Sequence, residues 1–109
     1  SVLVAVGGAA DLVIEAVRDR IPNIRIGPGD QDGSELGPLI TREHRDRVAG
    51  YLANAPAEGA KVVVDGRDTA NAPREGFFLG ASLLDHVKPG MRCYDDEIFG
   101  PVLSVVRVN

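Results

Sequence analysis

The sequence is short of large aromatic anchors: Trp is absent, and Phe and Tyr together supply 5% of 109 residues. A core must then be assembled from Ala, Val, Leu and Ile, through many small contacts rather than a few large ones. A single cysteine, Cys93, excludes an internal disulfide and fits a reducing, cytoplasmic setting. No apolar run approaches the roughly 18 residues that a membrane-spanning helix needs, so no membrane span is expected. The opening residues lack the basic n-region and cleavage site of a signal peptide. Lys and Arg are scattered, and a net charge of −4 argues against a nucleic-acid partner. The two histidines, His44 on the charged side of a helix and His86 in a loop, have no second ligand at metal spacing, and both are expected to be solvated.

What is present suits one α/β layer. Val2 to Val6 is a continuous apolar run ending at Gly7-Gly8, the pattern of a buried strand followed by a tight turn. Asp11 is placed to cap a helix whose apolar positions are Leu12, Val13, Ala16 and Val17. Pro22 is expected to end it near Arg20 by keeping the residue before it out of the helical region. Ile24 and Ile26 alternate around Arg25 like a short edge strand, and Gly27 to Thr41 is rich in turn formers. Thr41 is placed to cap a second helix with Val48, Leu52 and Ala55 inward and Gly59 at its end. Lys61 to Val64, Phe77 to Leu84 and Val102 to Val108 have the character of extended segments. Strands alternating with helices predict an α/β fold. The chain begins and ends within strand-like runs, so it is expected to be a piece of something larger, with Val2 to Val6 and Val102 to Val108 partly uncovered.

Three constellations invite a chemical reading. Strand, Gly7-Gly8 and helix resemble the start of a dinucleotide-binding unit, but the third glycine is missing and Arg25 stands where an acid belongs, so a structural turn fits better. Asp30, Asp32, Ser34 and Glu35 sketch a calcium loop whose twelfth position, Thr41, is not the required Glu. Cys93 is followed by Asp95, Asp96 and Glu97, whose charge would raise a thiol pKa, so it is expected to be a packing residue.

The segment DDEIFGPVL, Asp95 to Leu103, is harder to dismiss. Pro101 offers no amide hydrogen and Gly100 permits close approach, so the chain here is bent at an opening. A carboxylate accepts two hydrogen bonds at once, which suits the vicinal hydroxyls of a ribose. An aromatic two residues on shares its side if the segment is extended. Spacing alone supports an exposed acidic turn beside a core Phe equally well.

EIFGPV, Glu97 to Val102, resembles the E-x-F-G-P signature of the aldehyde dehydrogenase superfamily. LGPLIT (Leu36 to Thr41), EGAKVVVDGR (Glu58 to Arg67) and Phe77-Phe78-Leu79 stand in that family's order and at its distances, so the resemblance covers essentially the whole chain. GDQDGSELGPLIT and VKPGMRCYDDEIFGPVLSVVRV are most similar to the methylmalonate-semialdehyde dehydrogenases, the coenzyme A-acylating branch. FFLGASLLDHV departs, because the family usually carries a Pro-Thr pair after that Gly.

The resemblance implies an NAD-dependent enzyme in which a thiolate attacks an aldehyde and hydride passes to the nicotinamide. The acyl group then passes to coenzyme A, with carbon dioxide lost from a (methyl)malonate semialdehyde. It implies that Glu97 holds the nicotinamide ribose and that Phe99 lies beside the nicotinamide. Asp95 and Asp96 then serve only a wet turn. It further implies that residues 1–109 are a central part of the catalytic domain, α/β layers around a mostly parallel sheet. The nucleophilic cysteine and the NAD-binding Rossmann portion would lie before Ser1, Cys93 would not replace that nucleophile, and the chain alone would be inactive. A homotetramer is implied for the whole protein.

Overall fold

The computed structural model describes residues 1–109. Its elements are β1 (Val2–Val6), α1 (Ala9–Arg20), α2 (Arg42–Glu58), β2 (Lys61–Val64), β3 (Ser82–Asp85), α3 (Arg92–Asp95) and β4 (Val102–Val108). The strands form one sheet in the order β1-β4-β3-β2. β4 runs parallel to both neighbours, in register Val2↔Ser104 through Val6↔Val108 on one side and Ser82↔Val102 through Leu84↔Ser104 on the other. β2 closes the sheet antiparallel to β3. This is the α/β arrangement that the alternation of elements predicts, around the mostly parallel sheet that the resemblance implies.

Each face of the sheet carries a helix because the strands alternate and the helices are amphipathic. On one face, Val48, Tyr51, Leu52 and Ala55 of α2 pack with Leu84, Val102, Met91, Cys93 and Ile98. On the other, Ala10 and Ile14 of α1 pack with Ala5, Leu83 and Val105. Leu52, Leu83 and Leu84 are fully buried, and burial of such a side chain stabilises by about 1.5–3 kcal/mol. The α2 face is the larger, and β1 lies partly beyond it: Val2, Val4 and Val6 are 58–60% exposed. The expectation of uncovered strands holds for β1 and for Val108, whereas Val102 and Val105 are buried.

α2 begins where Thr41 Oγ1 accepts from the His44 amide at 3.1 Å and stops at Gly59, whose φ of 102° places it in the left-handed region that glycine tolerates. α1 ends at Arg20, as expected from the sequence, but differs from its sequence reading in three other ways. Its N-cap is Gly8, with no side-chain cap; Asp11 sits inside the first turn and pairs with Arg107 at 2.8 Å instead. Its inward seam is Ala10, Ile14, Val17 and Ile21, a strict four-three-four repeat, which turns Leu12 outward at 73% exposure. Finally, Ile21 keeps helical angles (φ −55°, ψ −44°) although Pro22 follows it, because a 3₁₀ turn over Ile21–Asn23 accepts the proline in its first positions.

Two predicted strands shrink. Ile24 to Ile26 makes only one bridge, Ile26↔Leu36, and does not join the sheet. Of Phe77 to Leu84 only the end is strand: β3 spans Ser82–Asp85, while the Phe77 carbonyl accepts from the Leu39 amide at 2.8 Å and anchors the long 27–41 connection. No helix is long and apolar enough to cross a membrane.

Candidate functional site

The segment Asp95 to Pro101 links α3 to β4 and borders a cleft of about 460 Å³. Glu97 and Phe99 line this cleft with Cys93, Ile98 and Ser104, and Ser1 and Val2 close it from β1. The two residues singled out in the sequence thus share one opening, though not by the extended geometry expected. Phe99 has φ +60°, a left-handed conformation that costs a side-chain-bearing residue about 1–2 kcal/mol. Its ring stands 74% exposed.

The acids divide by partner. Asp95 accepts from the Gly90 amide at 3.2 Å, and Asp96 accepts from the Tyr51 hydroxyl at 2.8 Å. Neither merely wets a turn, contrary to the sequence reading. Burial and then the Asp96 hydrogen bond push the Tyr51 phenol above its usual range, which keeps it protonated as the donor. The guanidinium groups of Arg47 and Arg92 lie 5.7 and 5.3 Å from the centre of the Tyr51 ring. Glu97 is exposed at the cleft and has no such partner within the chain.

α2 supplies the other wall of this loop. Arg47 Nη2 donates to the Ile98 carbonyl at 3.1 Å. The His44 ring nitrogen Nε2 lies 2.6 Å from the Phe99 carbonyl oxygen; since a carbonyl only accepts, Nε2 carries the proton. His44 is therefore half-buried and bonded, not solvated as expected, whereas His86 is exposed at the end of β3. Helical periodicity placed His44 on the polar side of α2, but no sequence signal shows that this side meets the 96–100 segment. At Gly100 a Cβ would come within 2.8 Å of both Val48 methyl groups, so only glycine lets the segment lie this close to α2.

Cys93 is buried, as a packing residue should be. Its thiol pKa is raised by burial first and by the Glu58 charge next, with Asp95 adding less; the adjacent acids invoked from the sequence are the minor cause. That environment opposes thiolate formation. The Gly7-Gly8 turn and the 30–35 loop border none of this cleft, and nowhere do three His, Cys, Asp or Glu side chains gather as a metal site would require.

Residues 1–109 match the family described as the aldehyde dehydrogenase family. Malonate-semialdehyde dehydrogenase 2 of Geobacillus thermodenitrificans is 47% identical over 109 residues, which is all of this chain and 23% of that protein. The crystal structure of methylmalonate-semialdehyde dehydrogenase from Oceanimonas doudoroffii superposes with a TM-score of 0.92 at 46% identity, covering 99% of this chain and 22% of that one. Betaine aldehyde dehydrogenase from Staphylococcus aureus, in complex with NAD+, superposes with a TM-score of 0.91 at 30% identity, covering 100% of this chain and 22% of that one. The chain belongs to the aldehyde dehydrogenase family. It spans less than a quarter of the length of these relatives.

Proposed function

We propose that this chain supplies one wall of the nicotinamide-cofactor pocket in an NAD-dependent, coenzyme A-acylating (methyl)malonate-semialdehyde dehydrogenase. The observation that carries the reading is the pairing, in one cleft, of an unpartnered carboxylate at Glu97 with the outward ring of Phe99. A ribose offers two adjacent hydroxyl donors and a nicotinamide offers a flat face, so an acceptor-only carboxylate beside an exposed aromatic fits both. The S. aureus relative holds NAD+, and the relatives with the higher identities quoted above act on malonate or methylmalonate semialdehyde by name.

In this reading Glu97 accepts hydrogen bonds from the ribose hydroxyls and Phe99 restricts how the nicotinamide lies. When bound, NAD supplies the hydride acceptor. Cys93 takes no part as nucleophile, because its surroundings hold the thiol protonated. Residues 1–109 are then a partial catalytic domain, and the nucleophile and the remaining cofactor contacts belong to other parts of the longer protein. The semialdehyde's acyl group passes to coenzyme A with loss of carbon dioxide, giving propionyl-CoA or acetyl-CoA. The working assembly is a homotetramer.

Glu97→Gln in the full-length protein tests the site. It keeps the shape but loses a charge-assisted acceptor, on the order of 1.5–3 kcal/mol, so NAD affinity is expected to fall about 10- to 100-fold. Unchanged affinity and rate would remove Glu97 from the cofactor contacts. Turnover of the semialdehyde that needs coenzyme A supports the acylating reading; full turnover with water alone overturns it.

A further inference from the structure

His44, Arg47, Val48 and Tyr51 recur at three- and four-residue intervals, so they lie along one side of α2. Each holds a different residue of the cleft-lining segment. Tyr51 takes the Asp96 carboxylate, Arg47 the Ile98 carbonyl, His44 the Phe99 carbonyl, and Val48 abuts Gly100. From Asp96 to Phe99 the helix positions descend (Tyr51, Arg47, His44) as the segment ascends, so the two run antiparallel there, and Gly100 then turns back against Val48. Only Glu97 is left unheld, at the cleft.

Within this arrangement Phe99 stands apart. Ile98 is anchored by burial in the core and Gly100 by contact with Val48. Phe99 has no packing to hold it, since its ring is largely exposed, yet its backbone sits in the left-handed region. The penalty for that region is of the same order as one hydrogen bond. The bond from His44 Nε2 is the contact that offsets it. Loss of that bond would free the backbone at Phe99 to relax and its ring to change direction, while Ile98 stays anchored.

We propose that His44 is a positioning residue for the cofactor pocket. By donating to the Phe99 carbonyl it sets the aim of the Phe99 ring. This rests on the cofactor reading above. His44 touches no cofactor in this scheme and acts through the backbone of Phe99.

The test uses the full-length protein with His44→Ala, His44→Gln and Glu97→Gln, read by hydrogen exchange of the peptide spanning 96–102 and by equilibrium NAD affinity. The amide of Gln can donate from a similar reach. For His44→Ala, exchange in that peptide is expected to quicken and NAD affinity to fall about three- to tenfold, the worth of one hydrogen bond. The melting temperature should move little, and His44→Gln should restore both readouts. Exchange unchanged in His44→Ala overturns the proposal outright, with no reference to NAD. Exchange quickened with affinity unchanged also overturns it. In that case Glu97→Gln separates the causes: weakened binding there leaves the cofactor reading standing, and unchanged binding removes it as well. A His44→Gln variant as impaired as His44→Ala overturns the hydrogen-bond mechanism.

Discussion

Arg107 grips Asp85 with two parallel hydrogen bonds, Nε to Oδ1 at 3.0 Å and Nη2 to Oδ2 at 2.8 Å, across the neighbouring strands β4 and β3. The same guanidinium reaches Asp11 of α1 at 2.8 Å, so one cation ties together both strands and the helix above them. Asp85 is 3% exposed, and its Oδ1 also accepts from the His86 amide at 2.7 Å. A buried carboxylate is tolerated only when its lone pairs are taken up in this way.

This ion pair predicts an acid limit to stability. Burial alone pushes the Asp85 carboxyl up. The Arg107 hydrogen bonds, the His86 amide and the nearby positive charges outweigh it, so the net shift is downward. A depressed folded pKa stabilises above the unfolded value, about 3.9, and that contribution is lost as pH falls through the folded value. Asp65, lowered chiefly by its hydrogen bonds from Arg67, acts in the same window. The thermal midpoint is expected to hold down to about pH 4 and drop below it. Asp85→Asn should lower the midpoint at pH 7 and flatten the acid drop. An unchanged midpoint at pH 7 would show that the pair adds nothing net.

Gly100→Ala is expected to weaken the protein through one identifiable collision. The added methyl meets both Val48 methyl groups at 2.8 Å, and overpacking of this kind costs about 1–3 kcal/mol. Val48→Ala alone leaves a cavity, and the two changes together should cost less than their sum. A double-mutant cycle in denaturant measures this; strict additivity would mean that the 96–100 segment simply moves away.

Cys93 should resist alkylation in the native protein. Its thiol is buried and its pKa raised, so thiolate is scarce at neutral pH. Peptide mapping after mild iodoacetamide is expected to find Cys93 unmodified until denaturant is added, and under the proposed function Cys93→Ser in the full-length protein is expected to retain that protein's activity. Rapid labelling of native Cys93, or loss of turnover in Cys93→Ser, would reopen a chemical role for this residue.

The elements that sequence reasoning placed well are those whose signals are local. Thr41 and Gly59 bracket α2 because cap chemistry depends on a few neighbouring atoms, and Val48, Leu52 and Ala55 face inward because helical periodicity repeats that choice. What escaped is non-local. Leu12 looked like core by spacing, yet the inward seam of α1 is set by where Leu83 and Val105 lie. Ile24 to Ile26 had the alternation of a strand but bridges only Leu36 and pairs with neither edge strand of the sheet. The Glu97–Phe99 pair was legible as a motif, whereas the His44 bond to Phe99 joins residues 55 positions apart and leaves no trace in the sequence.

The place of β4 between β1 and β3 has a consequence for how the chain is born. Val2 must wait for Ser104, about a hundred residues later, before its ladder can close. A ribosome making this stretch thus releases three helices and three strands before the strand that joins their layers emerges. Throughout that interval β1 has no strand beside it, so this long-range ladder is expected to form late in folding.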